Sequence, residues 1–133
     1  MMSFERRNRY PVILCVDDER EVLSCLQRCL SAEPYEVVTA HGADEALGWF
    51  GEVPIDLVIT DQRMPGMPGT ELLREVRKRS PKTARAILTA YPTPTLLKEG
   101  LEAGAQAFCY KPWSDDSLRD MIRSILAKST PDR

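Results

Sequence analysis

Five short apolar runs alternate with five longer stretches of helical periodicity along the chain, and no other feature restricts its fold as much. The first run, residues 11–16, is followed by Val22, Cys25, Leu26 and Cys29 at the i, i+3, i+4, i+7 spacing of one helical face, and Pro34 closes that segment. Residues 35–40 come next, then a helical segment carrying Ala43, Ala46, Leu47 and Phe50, with Gly51 near its end. Residues 55–60 lead through the loop Met64-Pro65-Gly66-Met67-Pro68-Gly69 to a segment around Leu72, Leu73 and Val76. Residues 84–88 precede a proline-interrupted loop and a segment around Leu96, Leu97 and Leu101. The last run is 107–110, after which Ser114 is placed to cap a helix whose apolar face is Leu118, Met121, Ile122, Ile125 and Leu126.

Runs that are nearly continuous in apolar residues suit a sheet covered on both faces, and helical crossovers are how parallel strands are joined. The pattern predicts a doubly wound α/β domain with five parallel strands and five helices. A chain of 133 residues suits one such domain, placed at 10–128 between an N-terminal arm (1–9) and a polar C-terminal tail or linker start (129–133). No apolar run approaches the ~20 residues of a membrane span, and Met1-Met2-Ser3-Phe4-Glu5-Arg6-Arg7 lacks the apolar stretch of a secretory signal. A cytoplasmic location is expected.

Composition narrows the chemistry further. With 18 Lys+Arg against 20 Asp+Glu, the chain lacks the basic footprint of direct nucleic-acid binding, and the local excess of arginine at residues 5–9 reads as a solvated lead-in. Cys15, Cys25, Cys29 and Cys109 show no C-x-x-C spacing and are expected to be buried, reduced thiols acting as small hydrophobes. His41 is the single histidine, so no multi-histidine metal site or His-based triad is available; it reads as a surface loop residue. Trp49 and Phe50 are expected to pack on the core, and no phosphate-binding glycine motif is present.

In an open parallel sheet the ligand site lies at the carboxyl ends of the strands. Asp17 and Asp18 follow the first run, Asp61 the third, Thr89 the fourth and Lys111 the fifth, so these groups should converge. Asp18 alone also reads as a cap for the following helix, but capping does not explain the set. Three carboxylates in one pocket repel one another unless a hard cation or a cationic side chain compensates them. Mg2+ suits such a site, because it takes one or two carboxylates and leaves positions for water and phosphate oxygens. Lys111 adds a positive charge and Thr89 a hydroxyl donor, which arranges a carboxylate to accept a phosphoryl group as an acyl phosphate.

The segments Leu14-Cys15-Val16-Asp17-Asp18-Glu19, Thr60-Asp61-Gln62-Arg63-Met64-Pro65-Gly66-Met67-Pro68-Gly69, Leu88-Thr89-Ala90 and Tyr110-Lys111-Pro112-Trp113 resemble, in this order, the receiver domains of two-component response regulators, such as the chemotaxis regulator. The resemblance implies a flavodoxin-like sheet of order 2-1-3-4-5. It implies Asp61 as phosphoacceptor, Mg2+ held by Asp17, Asp18, Asp61 and the backbone carbonyl of Arg63, and Thr89 and Lys111 on the phosphoryl oxygens. It also implies a cis Lys111–Pro112 bond and a switch coupling Thr89 to Phe108, with plain core packing as the alternative for Phe108. The implied partners are a sensor histidine kinase or phosphotransfer protein, an output domain or effector protein, and a second copy bound through the fourth helix, fifth strand and fifth helix. Such a module catalyses its own Mg2+-dependent phosphorylation and dephosphorylation and is not a conventional turnover enzyme. It is expected to be the receiver part of a larger response regulator, although a stand-alone regulator fits the tail as well.

Three features individualise the chain. Arg63 and Tyr91 are bulky beside the expected water path, which implies slow hydrolysis of the aspartyl phosphate. The loop Tyr91-Pro92-Thr93-Pro94-Thr95 is rich in proline, which either limits switching or simply leads into a helix with Pro94 at its first position. Trp113 resembles receivers that stand before metal-dependent phosphodiesterase or ATPase output domains, and alternatively covers the first turn of the last helix. Two other functions compete. A small phosphatase or phosphotransferase would want a second Asp where Arg63 stands, and a binding-only receiver would be expected to lack one of the polar groups that this sequence retains.

Overall fold

The strand β1 (Val12–Val16) is buried along its whole length, and its side chains alternate between two cores: Val12, Leu14 and Val16 face one, Ile13 and Cys15 the other. A strand in mid-sheet covered on both sides needs this, which is why the run reads as continuously apolar. The computed structural model describes residues 10–129; the expected arm (1–9) and tail positions 130–133 lie outside the described residues.

β2 (Glu36–Ala40), β3 (Leu57–Thr60), β4 (Ala84–Thr89) and β5 (Ala107–Tyr110) join β1 in an all-parallel sheet of order β2-β1-β3-β4-β5, the expected topology. Leu14 stands opposite both Val38 and Val58, Ile59 opposite Ala86, and Ile87 opposite Phe108. The edge strands depart from full coverage, with Glu36 and Tyr110 exposed. β3 begins at Leu57 rather than residue 55, because Asp56 turns its carboxylate to the Val12 N–H (2.8 Å).

α1 (Arg20–Leu30) and α5 (Asp115–Ser129) cover one face through Leu26, Leu30, Leu118 and Ile122. α2 (Ala43–Trp49), α3 (Gly69–Arg79) and α4 (Pro94–Glu102) cover the other through Ala46, Leu72, Leu73, Val76 and Leu96. The buried stripe of α1 is Leu23, Leu26, Cys29 and Leu30, which corrects the expected face. Cys25 lies about a quarter-turn off that stripe; it is exposed, with its sulfur 3.2 Å from the Arg28 guanidinium, and not buried as expected. All four thiols are free, and burial pushes Cys15 up to about 12, so that it stays protonated. His41 is exposed beside Glu45, and the Trp49 indole donates to the Thr39 carbonyl at 3.0 Å while packing on the core.

The predicted helix signals work locally. Ser114 Oγ accepts from the Ser117 N–H (3.3 Å) at the start of α5, and Thr93 Oγ1 accepts from the Leu96 N–H (3.1 Å) with Pro94 in the first helical position. The proline-rich loop is thus a lead-in to α4. That helix ends on Gly104 at φ +98°, with the Ala105 N–H returning to Gly100 O (2.9 Å) and the Gly104 N–H to Leu101 O (3.0 Å), a Schellman closure needing a left-handed residue. α4 buries only Leu96 and Gly100, and its far end is tied by Arg85 Nε to Gly104 O (2.8 Å) and by the Arg77 guanidinium to Glu102 O (3.3 Å). Among the described residues, no helix is long and apolar enough to cross a membrane.

Candidate functional site

Asp17, Asp61 and Lys111 each stand one residue past the end of a strand, where the ladder still holds the backbone, and Asp18 follows one residue later. The Asp17 N–H donates to Ala40 O (3.1 Å), the Asp61 N–H to Val16 O (2.9 Å) and the Lys111 N–H to Thr89 O (2.9 Å). Side chains from β1, β3 and β5 are therefore aimed by the sheet itself. Carboxylate oxygens of Asp17, Asp18 and Asp61 all lie within 4.8 Å of one another.

Lys111 answers them. Its Nζ is 2.8 Å from Asp17 Oδ2, 3.5 Å from Asp61 Oδ2 and 3.9 Å from Glu19 Oε1, and its side chain is 14% exposed against 2% for Asp17 and 10% for Asp61. Burial, and then the charge of Asp17, push the Asp61 carboxyl above its ordinary range, outweighing Lys111 and the N–H of Gln62. Burial works against the Lys111 ammonium, but the hydrogen bond and charge of Asp17, with Asp61 and Glu19, outweigh it and hold Lys111 above the usual lysine value. Asp17 Oδ1 also accepts from the Glu19 N–H (2.9 Å). The cap position of α1 is Glu19, without a side-chain cap bond, so the reading of Asp18 as a cap does not hold.

The remaining expected residues surround this cluster. Asp18, Glu19, Asp61, Arg63, Ala90, Tyr91 and Lys111 line a cleft of about 420 Å³. Thr89 is buried at the end of β4, its Oγ1 accepting from the Tyr91 N–H (3.1 Å), and it lines a neighbouring cavity of about 640 Å³ between the β3–α3 loop and α4. The Arg63 guanidinium lies 4.2 Å from the centroid of the Tyr91 ring, so the two bulky residues form one cation–π contact bridging the β3–α3 and β4–α4 loops. Phe108 is half-buried on β5 with its ring edge under α4: a Cβ on Gly100 would stand 2.7 Å from Phe108 Cζ. The Lys111–Pro112 bond is cis, as the resemblance implies. Trp113 packs against the α1–α5 core and donates to Asp115 Oδ1 (3.1 Å), covering the first turn of α5.

Sequence reasoning missed the way the Asp61 loop is closed. The Gln62 N–H donates to Asp61 Oδ1 (2.8 Å), and the Gln62 side chain accepts from the Thr70 N–H (2.8 Å) and donates to Thr70 Oγ1 (3.3 Å). Gly69 sits directly on the Asp61 carbonyl, where a Cβ would overlap it. A glycine opening a helix hints at such close approach, whereas a glutamine in a loop gives no comparable sign.

The donor set fits a hard divalent cation. Asp17, Asp18 and Asp61 offer oxygens alone, without thiolate or imidazole, and their mutual repulsion is only partly answered by Lys111.

The family model described as the response regulator receiver domain matches residues 13–123. The hydrogenase transcriptional regulatory protein HoxA of Cupriavidus necator is 37% identical over 120 residues, which cover 90% of this chain and 25% of that protein. Response regulator MprA of Mycolicibacterium vanbaalenii is 35% identical over 120 residues, covering 90% and 52%. The chain thus spans a quarter to about half of these relatives' length. Among solved structures, the signal receiver domain of an HD domain-containing protein from Pseudomonas fluorescens Pf-5 superposes with a TM-score of 0.90 at 33% identity, covering 95% of this chain and 93% of that one.

If the carboxylates are crowded at the expense of stability, Asp61→Asn, which removes one charge and keeps an acceptor for the Gln62 N–H, raises the urea midpoint at pH 7 without divalent cations. An unchanged or lower midpoint contradicts the crowding.

Proposed function

Because the chain belongs to the response regulator receiver domain family, the signalling module of two-component systems, we propose that it carries its signal as a phosphoryl group on Asp61. The observation that supports this best is Lys111 Nζ, placed within 3.5 Å of Asp61 Oδ2 while anchored on Asp17. An oxygen of Asp61 bonds to phosphorus as the P–N bond of a kinase or phosphotransfer-protein phosphohistidine breaks. The electron pair stays on the imidazole nitrogen, and the product is an acyl phosphate. Asp17, Asp18, Asp61 and the carbonyl of Arg63 would hold Mg2+, which supplies positive charge against the phosphoryl oxygens. Lys111 pairs with the same oxygens, and Thr89 turns its hydroxyl from its own loop toward them.

That rotation is the proposed switch. Thr89 and Phe108 stand on adjacent strands beneath α4, so drawing the β4–α4 loop inward gives Phe108 room to bury further and reshapes the α4–β5–α5 surface. Leu101 and Tyr110 are exposed there and would meet a second copy or an effector. The receiver unit is proposed at 10–128, in the cytoplasm, as part of a larger regulator. The length of its relatives and the likeness to a receiver from an HD domain-containing protein support an output domain. Return to the resting state needs water at phosphorus, and the Arg63–Tyr91 contact bridges the two loops around that path, which slows hydrolysis.

Incubation with acetyl phosphate and Mg2+ is expected to label the parent protein at one site and to leave Asp61→Ala unlabelled. Absence of label in the parent favours a binding-only receiver, and turnover of a free phosphate ester favours an enzyme. In the same assay, losing an exposed cation–π contact of about 0.5–1 kcal/mol shortens the label's half-life about two- to fivefold in an Arg63→Ala/Tyr91→Ala variant. An unchanged half-life removes any role for the pair.

A further inference from the structure

The start of α3 has no cap of its own. Its N-cap position is Pro68, which offers no side-chain acceptor, and the first N–H groups of a helix need partners from outside it. Gln62 supplies them from across the loop: its carbonyl accepts from the Gly69 N–H (3.1 Å) and its Oε1 from the Thr70 N–H (2.8 Å), while its Nε2 donates to Thr70 Oγ1 (3.3 Å). The same residue's own N–H holds Asp61 Oδ1 at 2.8 Å. Asp61 Oδ2 is left on the Lys111 side, at 3.5 Å.

We propose that Gln62 is a positioning residue, whose side chain locks the 61–62 peptide to the start of α3 and so fixes the orientation in which the Asp61 carboxylate meets the incoming phosphoryl group. A carboxylate is free to rotate about its Cβ–Cγ bond, and each orientation aims its oxygens and their lone pairs in a different direction. One N–H on Oδ1, held still by bonds to a helix, removes that freedom before the donor arrives. Gly69 reinforces the lock, because its bare Cα lets α3 rest directly on the Asp61 carbonyl. The loop between the two anchors bends through Gly66 at φ +81° and carries Arg63, so the lock also fixes where the Arg63 carbonyl stands. Within the family reading above, this assigns to Gln62 a role in the transfer step itself.

The inference rests on Asp61 as phosphoacceptor, and the test separates the two. Gln62→Leu keeps the volume and removes the amide, whereas Gln62→Glu keeps an acceptor for the Thr70 N–H. With saturating acetyl phosphate and Mg2+, the maximal labelling rate of Gln62→Leu is expected to fall about tenfold, as the loss of the amide's bonds to Thr70 frees the residue 62 N–H to move off the Asp61 carboxylate. Gln62→Glu is expected to stay within about threefold of the parent. Ser114→Ala, which uncaps α5 instead, lowers the thermal midpoint without slowing labelling. A Gln62→Leu rate equal to the parent's, or an equal loss in Gln62→Glu, overturns the proposal. Amide hydrogen exchange on the unphosphorylated protein gives the second readout: residues 62 and 70 lose protection in Gln62→Leu whether or not Asp61 takes phosphate. Unchanged protection overturns the lock. Lost protection with no labelling even in the parent leaves the lock standing and overturns only the phosphoacceptor reading.

Discussion

The ion pair between Lys111 and Asp17 joins residues that follow β5 and β1, two strands separated in the sheet by β3 and β4, and it closes the site across the edge at which the sheet aims its side chains. A buried pair of this kind is a poor source of stability, since desolvating both partners cancels much of their attraction. Here the balance differs because Asp17 does not stand alone. With Asp18 and Asp61 beside it, the ammonium at 2.8 Å from one carboxylate and 3.5 Å from another is the fixed cation that makes the cluster tolerable at all. Burial first, and then the charge of Asp17, still hold Asp61 above its ordinary range, so the pocket favours further positive charge.

Around that fixed point the loops are held unequally. The β3–α3 side is stiff: Gln62 caps α3, Gly69 rests on Asp61, and Thr60 Oγ1 donates to the Asp61 carbonyl at 2.8 Å. The β4–α4 side is lighter, with α4 seated on Leu96 and Gly100 and anchored by arginines only at its C-terminal end. A change of charge at Asp61 therefore meets a rigid loop on one side and a yielding loop on the other, which is the asymmetry the proposed switch needs. The Arg63–Tyr91 contact is the one cation–π bridge between the two sides among the described residues.

Most of the fold was legible because the strands in mid-sheet carry an unbroken apolar signal and the helices a periodic one. Asp17, Asp18, Asp61 and Lys111 were legible for a related reason: a parallel sheet places every strand's carboxyl end at one edge, so position after a run is enough to predict convergence. Cys25 was misread because a stripe of apolar residues leaves its margins undefined, and Leu23 and Leu30 displaced it from the core. The start of β3 was misread because the Asp56 carboxylate competes for the Val12 N–H, a contact across 44 residues that no local pattern encodes. Gln62 was invisible for the same reason, since its partner is on the next helix. The Arg63–Tyr91 pair was singled out for bulk, but its stacking is a matter of where two loops meet.

The proposed signal is a phosphoryl group on one carboxylate alone. An acyl phosphate is reduced by borohydride to the alcohol, so an aspartyl phosphate is recorded as homoserine at its own position in the sequence. After incubation with acetyl phosphate and Mg2+, peptide mapping by mass spectrometry is predicted to find homoserine at position 61 alone. Homoserine at 17 or 18, or a phosphoryl group retained on His41, would contradict the account.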